Sequence, residues 1–314
     1  MQTITTNKKP QVLVTGATGA QGGSVARTLM REGKFRVRIL TRNPQSYRAL
    51  VLQRAGAEIV VGDMQDKESL KKAMAGVYGV FGVTNFWEHY GNEYELGKNL
   101  ADAAEECAVS HLVMHTLPDY HQLSNGKYSV PHYDLKAKLE TYIRSRPVPA
   151  SFVHMGFYYE NFLSFFPLQK DNSGNYYFGF PQGQTKLAAV SVEDTGPVVS
   201  YLFGHPAEMM GKTVMITGAD LTCDEYAAIM EKVLGKRIYY THIPANVYKA
   251  YDFPGAAELA AMFEVQRLYI PGRQKELEES LRMNPAMQSF EAWVAKNKAK
   301  FISYFNSQLE AMVI

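Results

Sequence analysis

With 314 residues, 46% of them hydrophobic and 20% charged, the chain can bury one large core or two ordinary ones and is too apolar to be disordered. Its 33 basic and 31 acidic side chains leave a net charge of +2 with no dense basic run, which argues against direct binding of nucleic acid. Two cysteines, Cys107 and Cys223, are too few for a secreted disulfide framework. The polar start at residues 1–10 lacks signal-peptide character, and no run approaches the ~18 apolar residues of a membrane span, so the expected setting is the cytoplasm, with the nucleus also open.

Residues 11–15 (QVLVT) predict a strand running into a glycine cluster, and residues 19–31 a helix with apolar side chains at Val25, Leu29 and Met30. Strands follow at 35–40, 58–61, 77–83, 111–115 and 151–155, separated by helices at 47–54, 67–75, 94–107 and 134–144. Strands alternating with helices call for a parallel sheet covered on both faces, because each parallel crossover needs a helix to return the chain. Past residue 156 the alternation gives way to aromatic, Gly-rich and Pro-containing stretches at 157–167 and 175–183. Helices are expected there at 191–202, 223–234 (N-cap Thr222), 256–268 and 289–301, and strands at 213–216 and 237–242. The fold expected is α/β: a Rossmann-type doubly wound parallel sheet over residues 1–156, and a smaller α+β lobe over 157–314 that interleaves with it across a soft boundary.

Gly16-Ala17-Thr18-Gly19-Ala20-Gln21-Gly22 has G-x-x-G-x-x-G spacing between strand and helix. In a dinucleotide site the first glycine allows the tight turn, the second lets backbone approach a pyrophosphate, and the third allows close helix packing, while the helix N-terminus faces the phosphates. An ordinary strand-to-helix turn is the competing reading. The second strand selects the cofactor: it ends Leu40-Thr41-Arg42-Asn43-Pro44 with no carboxylate between Lys34 and Asn43. An acidic residue there would suit a ribose hydroxyl, whereas an arginine suits a 2′-phosphate, so NADP(H) is expected with Arg42 as its phosphate contact and Thr41, Asn43 or Ser46 beside it. Asp63, followed by Met64, is placed either to meet the adenine amino group or to form a turn. After the fourth strand, Thr84, Asn85 and Phe86 are placed to line the ribose next to nicotinamide, although Phe86 and Trp87 equally suit packing beneath a loop.

Short-chain dehydrogenases use a tyrosine and a lysine four residues later, on one helix face. Here Lys136 follows His132 by four residues and Tyr133 by three, so that pair is not written. Candidate catalytic residues are Lys136, His132 and Tyr133, with Lys136 also a candidate ribose ligand; an exposed helix lysine and a helix-start histidine are the plainer readings. Tyr158, Tyr159, Glu160 and Asn161 follow the sixth strand, at the sheet edge where such proteins bind ligands, and are candidates to cover the nicotinamide end. The histidines show no metal-ligand spacing, and no metal is expected.

The segments GATGAQGGSVARTL (16–29), TRNP (41–44), VTNFWE (83–88), HYDLK (132–136), YYENFL (158–163), VSVEDTGPVV (190–199) and FPGAAELAAMF (253–263) together resemble the NmrA-like family of atypical short-chain dehydrogenase relatives, and among them the HSCARG-type NADPH-sensing members. The resemblance covers nearly the whole chain. It implies a Rossmann lobe binding NADP(H), a smaller C-terminal lobe, and usually no tyrosine at the dehydrogenase position. Such proteins are regarded as redox sensors whose association or partner binding follows the NADPH to NADP balance; the fungal namesake represses a GATA-type transcription factor. Residues 16–21, Arg42, Asp63, 84–86, Lys136 and 158–161 would then form the nucleotide site. Tyr133 departs from the family pattern and leaves reductase activity open. Two functions are therefore expected in order: a regulator that couples nucleotide state to a protein partner or second subunit, and an NADPH-dependent reductase of a quinone, enal or ketone.

Overall fold

The structure is a computed structural model that describes residues 9–89 and 91–311, with side chains up to 307; most of the polar start at 1–10 lies outside them. The chain forms two compact units. One takes in the residues up to 117 with 135–154 and 195–214, and the other takes 118–134, 155–194 and 215 onward.

In the first unit six segments form β1 (Gln11–Val14), β2 (Arg36–Thr41), β3 (Glu58–Val61), β4 (Gly79–Gly82), β5 (His111–His115) and β6 (Ala150–Met155), with β-branched residues concentrated in β1, β2 and β3. They pair in the order β3-β2-β1-β4-β5-β6, every pair parallel, and Thr213–Ile216 joins the sheet beyond β6. β1, β4 and β5 are buried along their whole length, as parallel strands covered on both faces must be. The order reverses between β1 and β4, and the crevice at the carboxyl end of that pair is where open α/β sheets bind ligands. Helix Ala20–Glu32 returns the chain from β1 to β2 and packs on helix Thr195–Gly204, where Ser24 Oγ accepts the Gly196 N–H at 3.0 Å. The expected doubly wound parallel sheet is present.

The second unit has two smaller sheets. In one, Lys186–Val190 lies between Phe157–Tyr158, parallel, and Ala219–Thr222, antiparallel. In the other, Tyr176–Phe180 lies between Gln169–Lys170, antiparallel, and Ile238–His242, parallel. An aromatic core fills this unit, including Phe162, Phe178, Tyr226 and Phe290, with Phe180 stacked on Phe263 at 4.4 Å. Helix Cys223–Leu234 starts as expected: Thr222 and Glu225 form a reciprocal capping box.

Several boundaries differ from expectation for local reasons. The helix expected from 134 begins at Pro131, whose ring suits a first helical position, and the Asp134 carboxylate receives the Val130 N–H at 2.7 Å. The strand expected at 77–83 is confined to Gly79–Gly82, and the last helix runs on as Phe290–Ala311. The helix expected at 191–202 is a 3₁₀ turn, Val192–Asp194, followed by Thr195–Gly204. Among the described residues no helix is long and apolar enough to cross a membrane.

Candidate nucleotide site

The glycine turn sits at the carboxyl end of β1. Gly16 has φ 59°, a left-handed conformation that a side chain disfavours. At Gly22 a Cβ would lie 2.4 Å from the Gly16 carbonyl oxygen and 2.5 Å from that of Thr15, so only glycine lets the helix start this close to the strand end. Thr15 Oγ1 ties the turn to β4 by accepting the Val83 N–H at 3.0 Å. The helix that follows has Gly19 as its N-cap, no side-chain cap and no carboxylate in its first turn. This cradle has the closeness and the positive helix end that a pyrophosphate requires.

Around the adenine-side end, Arg42 follows β2 and is ion-paired with Glu88. That pairing holds the Glu88 carboxyl below its usual range and raises Arg42 further. Arg48 donates to the Thr18 carbonyl at 3.0 Å. The polar neighbours of Arg42 serve the local turn: Thr41 Oγ1 accepts from Asn43 N at 3.2 Å, Asn43 Oδ1 from Gln45 N at 3.1 Å, and Ser46 caps helix Tyr47–Arg54. Asp63 forms a turn, its carboxylate accepting the Gln65 N–H at 2.9 Å, and the Met64 carbonyl accepts from Asn99 at 3.1 Å.

Beyond β4 the segment read from sequence as a loop is a short helix, Phe86–His89, started by the Asn85 carbonyl. Phe86 is buried with its edge against Trp87 at 5.2 Å, while Trp87 is partly exposed. Thr84 is buried and belongs to a closed cluster with Lys136 and Glu93. Lys136 Nζ donates to Glu93 Oε1 at 2.6 Å, Thr84 Oγ1 at 2.8 Å and the Thr84 carbonyl at 3.2 Å. The Thr84 hydroxyl in turn donates to Glu93 Oε1 at 2.7 Å. An ammonium has three donors, and all three are used. The lysine side chain is only 6% exposed, so the exposed-lysine reading is corrected. Burial pushes its pKa down, and the Glu93 charge and hydrogen bond oppose this. Next to it His115, at the end of β5, is buried with neither ring nitrogen hydrogen-bonded. Burial first, then the Lys136 and His154 charges, hold this imidazole well below its usual pKa, and hence neutral.

The other nominated residues lie in the second unit. His132 Nδ1 contacts the Glu258 carboxylate, which also accepts the His132 backbone N–H at 2.9 Å; Glu258 thereby caps the helix start. Tyr133 is stacked on Tyr120 at 3.9 Å, and burial raises its phenol pKa although Tyr120 and Arg273 act against it. An acid-base tyrosine needs the opposite shift. Both phenols border a cavity of about 20 Å³ with Asp220 and Arg273, room for about one water. Tyr158 pairs with Val190 at a sheet edge, and Tyr159 is wholly buried against Phe290 and Trp293. Glu160 is engaged within the unit, accepting from Ser191 Oγ at 2.9 Å, Val192 N at 3.0 Å and Trp293 Nε1 at 3.1 Å. The Asn161 carbonyl ends the turn by accepting from Ser164 N and Phe166 N. Tyr159 and Glu160 thus shape this segment and present no open polar group. Among the described residues no group of three metal-ligating side chains is assembled.

Sequence reasoning passed over Glu93, Glu88 and His115. Glu93 had a signal: in helix Glu93–Glu106 it shares a stripe with the buried Leu96, Gly97, Leu100 and Ala104, and a carboxylate on an apolar stripe demands a cation.

The sequence pattern of the NmrA-like family matches residues 8–293. An NmrA-like family domain-containing protein of Dictyostelium discoideum is 32% identical over 91% of this chain and 97% of its own. The NmrA-like family domain-containing oxidoreductase FrzB of a Cladobotryum species is 32% identical over 79% of this chain and 80% of its own. Among solved structures, the negative transcriptional regulator NmrA in complex with NADP superposes with TM-score 0.80 at 22% identity, covering 92% of this chain and 95% of that one. The NADPH-dependent quinone oxidoreductase QOR2 of Escherichia coli, complexed with NADPH, superposes with TM-score 0.75 at 20% identity, covering 93% and 99%. With the pattern spanning almost the whole chain and relatives this similar over most of their length, the chain belongs to the NmrA-like family.

Proposed function

We propose that the first unit binds NADP(H) on the glycine turn and Arg42, and that the protein is a redox sensor coupling the NADPH to NADP balance to a protein partner or to association with a second subunit, in the cytoplasm or nucleus. The observation that carries the sensor reading is the buried Lys136–Thr84–Glu93 cluster, in which all three lysine N–H donors already have acceptors inside the protein. Burial makes the Tyr133 phenol a weaker acid, and the tyrosine-lysine pair a dehydrogenase needs is not written in the sequence. Membership of the NmrA-like family, and the resemblance of its motifs to those of HSCARG-type members, support the same reading. A sensor requires a conformation that one nucleotide form prefers, since a ligand bound equally by two states shifts neither. Calorimetric titration with NADPH, NADP, NADH and NAD, combined with association measured by sedimentation in each form, tests it. Equal association with all four nucleotides and with none would refute it.

A second reading is an NADPH-dependent reductase of a quinone, enal or ketone. It is favoured by relatives named as oxidoreductases, FrzB among them. NADPH would supply the hydride, and Lys136 with His132 or Tyr133 the proton. Steady NADPH oxidation across a carbonyl and quinone panel, abolished in Lys136→Ala, would establish this reading in place of the first.

A further inference from the structure

We propose that Glu88 sets the cofactor preference of the adenine-ribose pocket, competing with a 2′-phosphate for Arg42 and offering an acceptor to an unphosphorylated 2′-hydroxyl. This rests on the reading of the glycine turn and Arg42 as the nucleotide site. Sites for the unphosphorylated cofactor place a carboxylate at the end of β2, and β2 here has none. The fold brings one from another strand. β2 and β4 both flank β1, so the loops at their carboxyl ends converge beside the glycine turn. Arg42 stands on the first of these loops and Glu88 on the helix that follows the second. They are 46 residues apart in sequence and in direct contact.

Both side chains are about half exposed, 56% for Arg42 and 45% for Glu88, so a ligand can reach the pair. A second carboxylate, Asp63, also acts on Arg42, His89 Nε2 lies 3.7 Å from Glu88, and Arg48 holds the Thr18 carbonyl of the glycine turn. The Arg42 guanidinium therefore faces two carboxylates, Glu88 and Asp63. A pocket built for phosphate alone would leave the arginine unopposed. A 2′-phosphate has to displace Glu88 from Arg42 and tolerate its charge, while a 2′-hydroxyl can donate to Glu88 without disturbing the pair.

The experiment is a titration of the purified chain with NADPH, NADP, NADH and NAD for the parent, Glu88→Gln, Arg42→Ala and the double variant, repeated with Glu88→Ala to control for the amide. Glu88→Gln should widen the preference for phosphorylated over unphosphorylated forms by about 1.5-fold to fivefold, the range for an exposed charge pair, with the effect shrinking at high salt. Arg42→Ala should narrow the preference, and in that background Glu88→Gln should change it little, because the two act as a pair. If Arg42→Ala narrows the preference but neither Glu88 variant alters it, the inference is overturned and the pocket assignment stands. If Arg42→Ala also leaves it unchanged, the pocket assignment falls, and the role of Glu88 with it.

Discussion

Replacing Glu93 by Gln tests whether Lys136 is a charged group held in a dry interior. Its carboxylate side chain is 1% exposed and, among the described residues, is the one acidic partner within 4 Å of the lysine. Removing one member of a buried pair typically costs about 3–5 kcal/mol, because the remaining charge is left uncompensated. A second route gives a similar ceiling. An unfolded lysine titrates near 10.5, so neutralising Lys136 at pH 7 forgoes about 3.5 pH units of protonation, or about 4.8 kcal/mol at about 1.36 kcal/mol per unit. With an unfolding entropy of about 2.1 cal/mol/K per residue over 314 residues, thermal unfolding followed by intrinsic fluorescence should therefore show a midpoint roughly 5–8 °C below the parent at pH 7. The sign of the pH dependence is fixed as well. Burial lowers the folded pKa of Lys136 below the unfolded value, and losing Glu93 lowers it further. Between the folded and unfolded values the unfolded chain binds more protons, so stability rises with pH, by about 1.4 kcal/mol per unit once the folded lysine is neutral. The deficit of Glu93→Gln should shrink between pH 7 and pH 9, and adding Lys136→Met should recover much of it. A midpoint within about 2 °C of the parent at both pH values, or a double variant no more stable than the single, would refute the reasoning.

Gly22→Ala places a Cβ 2.4–2.5 Å from two backbone carbonyl oxygens; it should cost about 1–3 kcal/mol in melting stability and abolish NADPH binding by calorimetry. Asp194 has its pKa raised to about 6 by burial, against its hydrogen bonds from Gln288 and Asn284. The folded state therefore binds the extra proton between 3.8 and about 6, stability falls by about 3 kcal/mol as pH rises through that window, and Asp194→Asn should flatten the dependence of the melting midpoint there. Glu140 is lowered to about 2: burial opposes this but is outweighed by His154, Thr116 and Thr213. Its contribution, about 3 kcal/mol, is full above pH 4.5 and lost as pH falls toward 2, so Glu140→Gln should melt earlier than the parent at pH 7 and no earlier at pH 2.

What the sequence discloses about this protein follows from the range of the forces involved. The glycine turn is legible because its requirement is local: Gly22 must lack a Cβ given where Gly16 stands six residues earlier, and six residues of text hold the whole constraint. The parallel sheet is legible for the same reason, since β1, β4 and β5 each have a short apolar centre (residues 12–14, 80–81 and 112–114) and are followed by helical periods. Lys136 is half legible. The helix that carries it can be read, but its partners Thr84 and Glu93 lie 52 and 43 residues away, and they meet it only once the order β1-β4-β5-β6 is set. The same holds for Glu88 and Arg42: the end of β2 reads as a bare arginine because its counter-charge arrives from beyond β4. In the second unit even elements escape. Strands of two residues such as Phe157–Tyr158 and Gln169–Lys170 have no period to detect, and they exist because a neighbouring strand supplies their hydrogen bonds. An acceptor or a cation that a site gains by sheet order is invisible at the motif itself. The counter-charge of Arg42 and the surroundings of Lys136 are therefore supplied by Glu88 and Glu93, residues that the motifs themselves do not contain.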